Sequence, residues 1–404
     1  MRSTMRSIGV AERRARLAVR HRLAATARTD SVAGIAGSLV ALHATDPATV
    51  FLSVAARSLT AAHTDVEAAL YEDRTLLRML AMRRTMFVVP VELVPALQAS
   101  CADALAVRQR RTYARHLERA GVGADAGGVD AWLADVEEAT HRVLLARGLA
   151  TGAQLSAEEP RLRTKVDTAP GKSYSRPTGI TTWVLVSLGC QGRIVRGRPN
   201  GSWISSQYQW SPVETWLPGP LPAMPAGPAR TELAARWLRA FGPAPVTDLK
   251  WWTGWSMGEV RKALAPLDVA EVELPDERAG NATGLLLADD LDPAGGPEGT
   301  GAALLPALDP TPMGWQERGW FLGEHAPRLF DRSGNIGPTV WWEGRVVGGW
   351  AQRGDGEIAL RLLEDVGAEA EAAIEAEAGR IGRWCGDVRV TPRFRTPLER
   401  ELSS

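Results

Sequence analysis

The 404-residue chain carries 47 Lys and Arg against 47 Asp and Glu, and 45% of it is hydrophobic. That is the composition of a folded protein with more than one core, and it argues against a chain that binds a polyanion through net charge alone. Cys101, Cys190 and Cys385 are too far apart for a CxxC pair, so a zinc framework and a disulfide scaffold are both disfavoured and a reducing compartment is expected.

The neutral total hides segregation. Residues 1–30 hold eight arginines against Glu12 and Asp30, and residues 161–198 hold eight Lys and Arg against Asp167. Residues 271–298 and 364–377 are acidic. Such blocks predict a positive face and a negative back. No apolar core precedes a cleavage site, and no apolar run is long enough to span a bilayer. A cytoplasmic, nucleoid-associated protein with no membrane partner is expected.

In chain order, the arginine-rich first 24 residues read as a helix, as does "SVAGIAGSLVAL" (31–42). "ALHATDPATVFLS" (41–53) then places Asp46-Pro47 where a helix starts, because Asp accepts from free N–H groups and Pro fits the first helical position. A helix over 47–59 follows, and "DVEAALYEDRTLLRMLAMRRTMFVVP" reads as a helix and then a short strand, Thr85–Val89, stopped by Pro90. Helices followed by a strand are the order of a winged helix-turn-helix.

The pattern recurs. "DAWLADVEEATHRVLLARGLATGAQLSAEEP" reads as two helices about a Gly turn, and "GITTWVLVSLGCQGRIVRGRPNGSWISSQYQW" as a third helix and a hairpin turned at Asn200-Gly201. Arg193, Arg196 and Arg198 lead to that tip and make it a candidate basic wing for DNA. The Pro-rich 216–230 is a linker, and "RWLRAFGPAPVTDLKWW" echoes "RVLLARGLATGAQL" as a third copy. From about 269 short alternating runs split by Gly, Pro and Asp predict a β-rich, barrel-like C-terminal part, closed by a helix from "AEAEAAIEAEAGRIGRWCG". The expectation is an α+β chain of three tandem winged helices: 1–100, 101–225, the helical part of a third at 226–268, and the β-rich part at 269–404.

No GxGxxG, P-loop, GxSxG or HExxH is present, and the six histidines lack metal spacing, so neither a metal nor a cofactor is expected. His43 precedes a helix N-terminus, whose partial positive charge would keep the imidazole neutral. It is either a satisfied histidine in a capping loop or a base with Thr45 holding a water. Asp46 is either the helix N-cap or a catalytic base. Arg108, Arg110, Arg111 and Arg115 suit a solvated helix face, and Trp251, Trp252 and Trp255 suit a core.

The order of "LVALHATDPATVFLSVAARS", "RTLLRMLAMRRTMFVVP", "VTDLKWWTGWS", "LLPALDPTPMGW" and "GNIGPTVWWEGRVVGGW" resembles the AlkZ/YcaQ-type DNA glycosylases, and the resemblance runs over most of the chain. It implies three tandem winged helices around a basic channel, with double-stranded DNA containing alkylated bases as partner. The implied activity is monofunctional hydrolysis of the N-glycosidic bond of alkylated purines, bulky N7-guanine adducts or crosslinks included. The setting is alkylation repair or self-resistance to a genotoxic natural product. The family's catalytic motif, Gln-apolar-Gln or Gln-apolar-Asp before an Asp-Pro-type helix start, falls on His43, Ala44 and Thr45. The frame holds while the residue types differ. In this picture His43 is the base, Thr45 its helper, and the "DRSGNIGP" tip (331–338) contacts DNA through Arg332 and Asn335. A bulky lesion suits attack from an open channel better than flipping into a tight pocket. The rival readings are a non-catalytic DNA-binding regulator or adduct-binding factor, and a protein–protein module built on the Trp-rich β-region. A monomer is expected from the self-sufficient repeats.

Overall fold

A computed structural model describes residues 5–169, 171–173, 175–276, 280–293 and 301–404. The N-terminal segment forms a two-residue strand β1 (Arg6–Ser7) before helix α1 (Val10–Arg20), where a continuous helix was expected. Then follow α2 (Val32–Ser38), β2 (Leu42–His43), α3 (Pro47–Ala55), α4 (His63–Glu67), β3 (Leu76–Leu80) and β4 (Met86–Pro90). The sheet order is β2-β4-β3, so the short β2 adds to the outer strand of a hairpin. Leu76–Leu80 had read as the end of a helix. Its nearly unbroken apolar run carries no period, and full antiparallel pairing from Leu76↔Pro90 to Leu80↔Met86 makes it a strand.

The arrangement repeats downstream. After α5 (Asp103–Arg119) come α6 (Val129–Arg147), β5 (Ala150–Thr151), α7 (Gly152–Glu158), α8 (Thr181–Cys190), β6 (Ile194–Pro199) and β7 (Tyr208–Pro212), in sheet order β5-β7-β6. Then α9 (Ala226–Phe241), α10 (Val246–Thr253) and α11 (Met257–Leu264) lead to β8 (Val269–Leu274) and β9 (Ala282–Leu287). Here Ala244 bridges Leu285 of β9, and β1 adds to β8 in parallel.

Residues 303–362 do not close into the barrel-like part that the sequence suggested. β10 (Ala303–Leu305), β11 (Thr339–Trp342), β12 (Arg345–Gln352) and β13 (Ile358–Leu362) form an open antiparallel sheet in that order. The strands that could have extended it, β8 and β9, pair with β1 and Ala244 instead. The helices α12 (Ala368–Cys385) and α13 (Pro397–Leu402) pack on the four-stranded sheet. One continuous core joins α2–α4, α9–α11 and this sheet, while residues from Tyr113 to Ile194 build a second core.

The Asn200-Gly201 pair does not make a two-residue turn. Strand pairing resumes only at Pro199↔Tyr208, because the intervening loop buries Trp203 against Phe51 of α3 (5.2 Å) and Trp384 of α12 (5.6 Å). The loop of this hairpin is therefore anchored through Trp203 on α3 and α12, while Asn200, Gly201 and Ser202 stay exposed.

Candidate active site

The turn before α3 is held from both sides. α3 is apolar all round and buried along its whole length, as a helix of that composition must be. At its C-terminal end Arg57, wholly buried, pairs with Asp309 through two bonds of 2.7 and 2.8 Å. The same guanidinium donates to the carbonyls of His21 and Ser53 and to the Thr311 hydroxyl. A buried ion pair with its donors satisfied fixes register, and breaking it strands a charge. It ties α3 to the "LLPALDPTPMGW" segment, and Thr49 adds a bond to the Ala307 carbonyl (2.8 Å).

At the N-terminal end, Asp46 is the N-cap. One carboxylate oxygen accepts from the Ala48 N–H (3.1 Å) and the other from the Arg393 N–H (2.8 Å), which docks the C-terminal segment. Burial raises its pKa, and these two bonds oppose the rise. The N-cap reading of Asp46 is the one the geometry displays. As a base it would act with each oxygen already on a backbone N–H.

His43 pairs with Phe87 on β4 and lies edge-on to that ring, 5.5 Å away. Only 8% of its surface is exposed. Its Nδ1 faces the Thr45 N–H at a long 3.5 Å, and no hydrogen bond to Nε2 is made among the described residues. Burial, with Arg83 second, lowers its pKa to about 3. The imidazole is thus neutral, as the sequence suggested, but the cause differs: desolvation dominates, where a helix N-terminus had been expected. A pKa so low also makes His43 a poor proton acceptor, unlike the near-neutral base expected. It acts more as a neutral amide does, one nitrogen donating and the other accepting. Thr45 is half-buried beside it.

Arginines the sequence had not singled out stand around this turn. Arg83 and Arg84 both adopt left-handed φ (+51° and +63°) in the β3–β4 turn, a strained arrangement for non-glycine residues. The Arg83 guanidinium lies 4.1 Å over the Trp251 ring, and Arg318 lies 5.4 Å from the same ring. Trp251 is therefore a stacking platform, while Trp252 and Trp255 are core. Burial, then Arg83, lowers the Arg318 pKa to about 10.

The candidate DNA contacts are placed differently from the expectation of a free wing. Arg193 pairs with Glu138 (2.7 Å), and Arg198 with Glu67 and Glu72 (2.7 Å each), so both are neutralised within the chain. Arg196 is half-buried over Tyr208 and Trp210. In the 331–335 loop the Asn335 side chain donates to Asp331 (2.9 Å), which also holds the Ser333 N–H (2.8 Å), while Arg332 is exposed. Pro338, just beyond, lines the same small cleft as Asp46 and Trp350. Four of the five motif segments thus meet at α3 and its flanks, and "VTDLKWWTGWS" reaches them through Trp251 against Arg83. Among the described residues no group of His, Cys, Asp and Glu is arranged to hold a metal, and no helix is long and apolar enough to cross a membrane.

A family model described as DNA glycosylase AlkZ-like matches residues 36–384. Among solved structures, Streptomyces sahachiroi DNA glycosylase AlkZ superposes with a TM-score of 0.66 at 19% identity, covering 95% of this chain and 98% of that one. No curated protein matches the sequence.

Proposed function

The chain belongs to the AlkZ-like DNA glycosylase family, and from that premise we propose that it hydrolyses the N-glycosidic bond of alkylated purines in double-stranded DNA, N7-alkylguanine and its bulky adducts foremost. The observation that carries the reading is His43: a neutral imidazole whose Nε2 has no hydrogen-bond partner among the described residues, on a turn fixed at both ends and adjoining Arg83.

An N7-alkylated guanine is already cationic, so it departs without a general acid. The protein has only to place a water beneath C1′ of the sugar and tolerate the developing oxocarbenium ion. His43 accepts a hydrogen bond from that water or donates one to it, and Thr45 orients it. Asp46 keeps both on station through the helix cap and the Arg393 bond. The glycosidic electron pair leaves with the base, which departs as neutral N7-alkylguanine. The attacking oxygen gives up its proton late, to the unprotonated nitrogen of His43, a weak acceptor that suffices once that oxygen bonds the former oxocarbenium carbon. The product is an abasic site in an uncut strand.

We read each of the three helix-and-hairpin arrangements as a winged helix. The support is the shared order in which a short strand or bridge ahead of the second helix adds to the hairpin's last strand. One observation favours the rival, a non-catalytic DNA-binding protein: the same low basicity of His43. An oligonucleotide carrying N7-alkylguanine decides between them. Alkali-labile breaks at the lesion with wild type, absent with His43→Ala, support hydrolysis. Binding with no released base for any adduct supports the rival.

A further inference from the structure

Among the described residues the buried arginines meet their charge in two ways, by carboxylates or by a ring face as Arg13 does 4.0 Å over Trp320. Arg57 has Asp309, and Arg16 has Glu12 and Asp290. Arg78, on β3, is only 3% exposed, yet its Nε and Nη1 have no hydrogen-bond partner among the described residues. No carboxylate forms an ion pair with it there. Its guanidinium lies 4.8 Å from the Tyr208 ring, and that of Arg196 lies 5.3 Å from the same ring. The Tyr208 hydroxyl is likewise buried and unpartnered, as is Arg196 Nε, while the Tyr71 hydroxyl sits beside the Arg78 side chain and favours its charged form.

A ring face attracts a cation but takes no charge away and receives no in-plane N–H. Guanidinium N–H groups of Arg78 and Arg196 and the Tyr208 hydroxyl left this way are costly unless an oxyanion meets them. The exposed Arg393 adds a third cation close to Arg196, and its backbone N–H is the one bonded to Asp46. The cluster therefore lies beside the His43 turn, where β3, the β6–β7 hairpin and the C-terminal segment meet, with exposed Arg393 on its outer side.

We propose that Arg196 and Arg393, backed by Arg78 and the Tyr71 and Tyr208 hydroxyls, form a seat for one phosphate of the DNA strand next to the lesion. This rests on the reading of the protein as a DNA glycosylase. A phosphate there fixes the register of the strand, so that the sugar of the damaged nucleotide comes to rest at His43. Arg78 is a positioning residue in this role: it supplies charge from behind, and Arg196 and Arg393 make the contact.

The test replaces single phosphates around the lesion by uncharged methylphosphonates and measures affinity for wild type, Arg196→Gln and Arg196→Lys, with thermal melting to verify folding. Wild type is expected to lose about ten-fold in affinity at one linkage. Arg196→Gln should be insensitive at that linkage alone, and Arg196→Lys should recover part of the sensitivity. If the losses simply multiply at every linkage, the seat does not hold a DNA phosphate. If inorganic phosphate stabilises the wild type and not Arg196→Gln, yet no linkage couples, the seat serves a free anion and the proposal is overturned. If wild type binds none of the oligonucleotides, the DNA reading falls with it, and that failure is separable from a lost coupling.

Discussion

His43→Gln and the pH dependence of base release test the role of a neutral imidazole. With its pKa at about 3, His43 is about 1% protonated at pH 5, whereas a histidine at 6.5 would be about 97% protonated there. Single-turnover release of N7-alkylguanine, corrected for spontaneous depurination, should therefore be flat from pH 5 to 8. His43→Gln preserves a neutral donor and acceptor and should stay within about ten-fold of wild type, while His43→Ala should fall by about a hundred-fold or more. Stability follows the same linkage. The folded pKa lies below the unfolded value, so the stabilisation is complete above pH 6.5 and declines as the pH falls towards 3. At pH 5 the loss is about 2 kcal/mol, and His43→Gln should remove that slope from the melting profile. A rate that drops ten-fold per unit below pH 6.5, or a His43→Gln variant as inactive as His43→Ala, would show that a neutral, amide-like imidazole is not what base release requires.

Other substitutions separate structural from chemical roles. Asp46→Ala removes the helix cap and the bond to Arg393, and should cost about 1–2 kcal/mol in denaturant melts. Asp46→Asn keeps one acceptor oxygen and should retain most activity per folded molecule; complete inactivation with intact folding would instead mark Asp46 as a base. Arg57→Met leaves Asp309 buried and unpaired and should cost about 3–5 kcal/mol by urea unfolding; a loss below about 1 would contradict the pair's place in the core. Arg198→Ala should leave the salt dependence of DNA binding unchanged, because Glu67 and Glu72 already neutralise Arg198. Arg332→Ala, at an exposed loop, should lower that slope by about one phosphate's share if the loop meets DNA.

Local signals in the sequence were reliable where local forces decide. Asp46-Pro47 starts a helix because the cap and the proline both act within one turn. The helices about Gly148 follow the same logic. What distant residues decide was hidden. The Asn200-Gly201 turn opens into a loop because Trp203 finds Phe51 and Trp384. The wing arginines lose their free charge to Glu138, Glu67 and Glu72, and β1 owes its existence to β8, more than 260 residues on. The position of His43 was legible, and so was its neutrality. Its weak basicity was not, because burial is a property of the packed sheet and of Arg83. Arg78 was the overlooked clue: one arginine inside an apolar strand signals a buried polar group that needs an answer.

The most direct measurement is mass-spectrometric detection of the free base released from an N7-alkylguanine duplex under single turnover. Wild type should give free modified guanine and an abasic site in an uncut strand, with background levels for His43→Ala. Tight binding by the wild type with no free base, on this and on bulkier adducts, would contradict hydrolysis of the glycosidic bond.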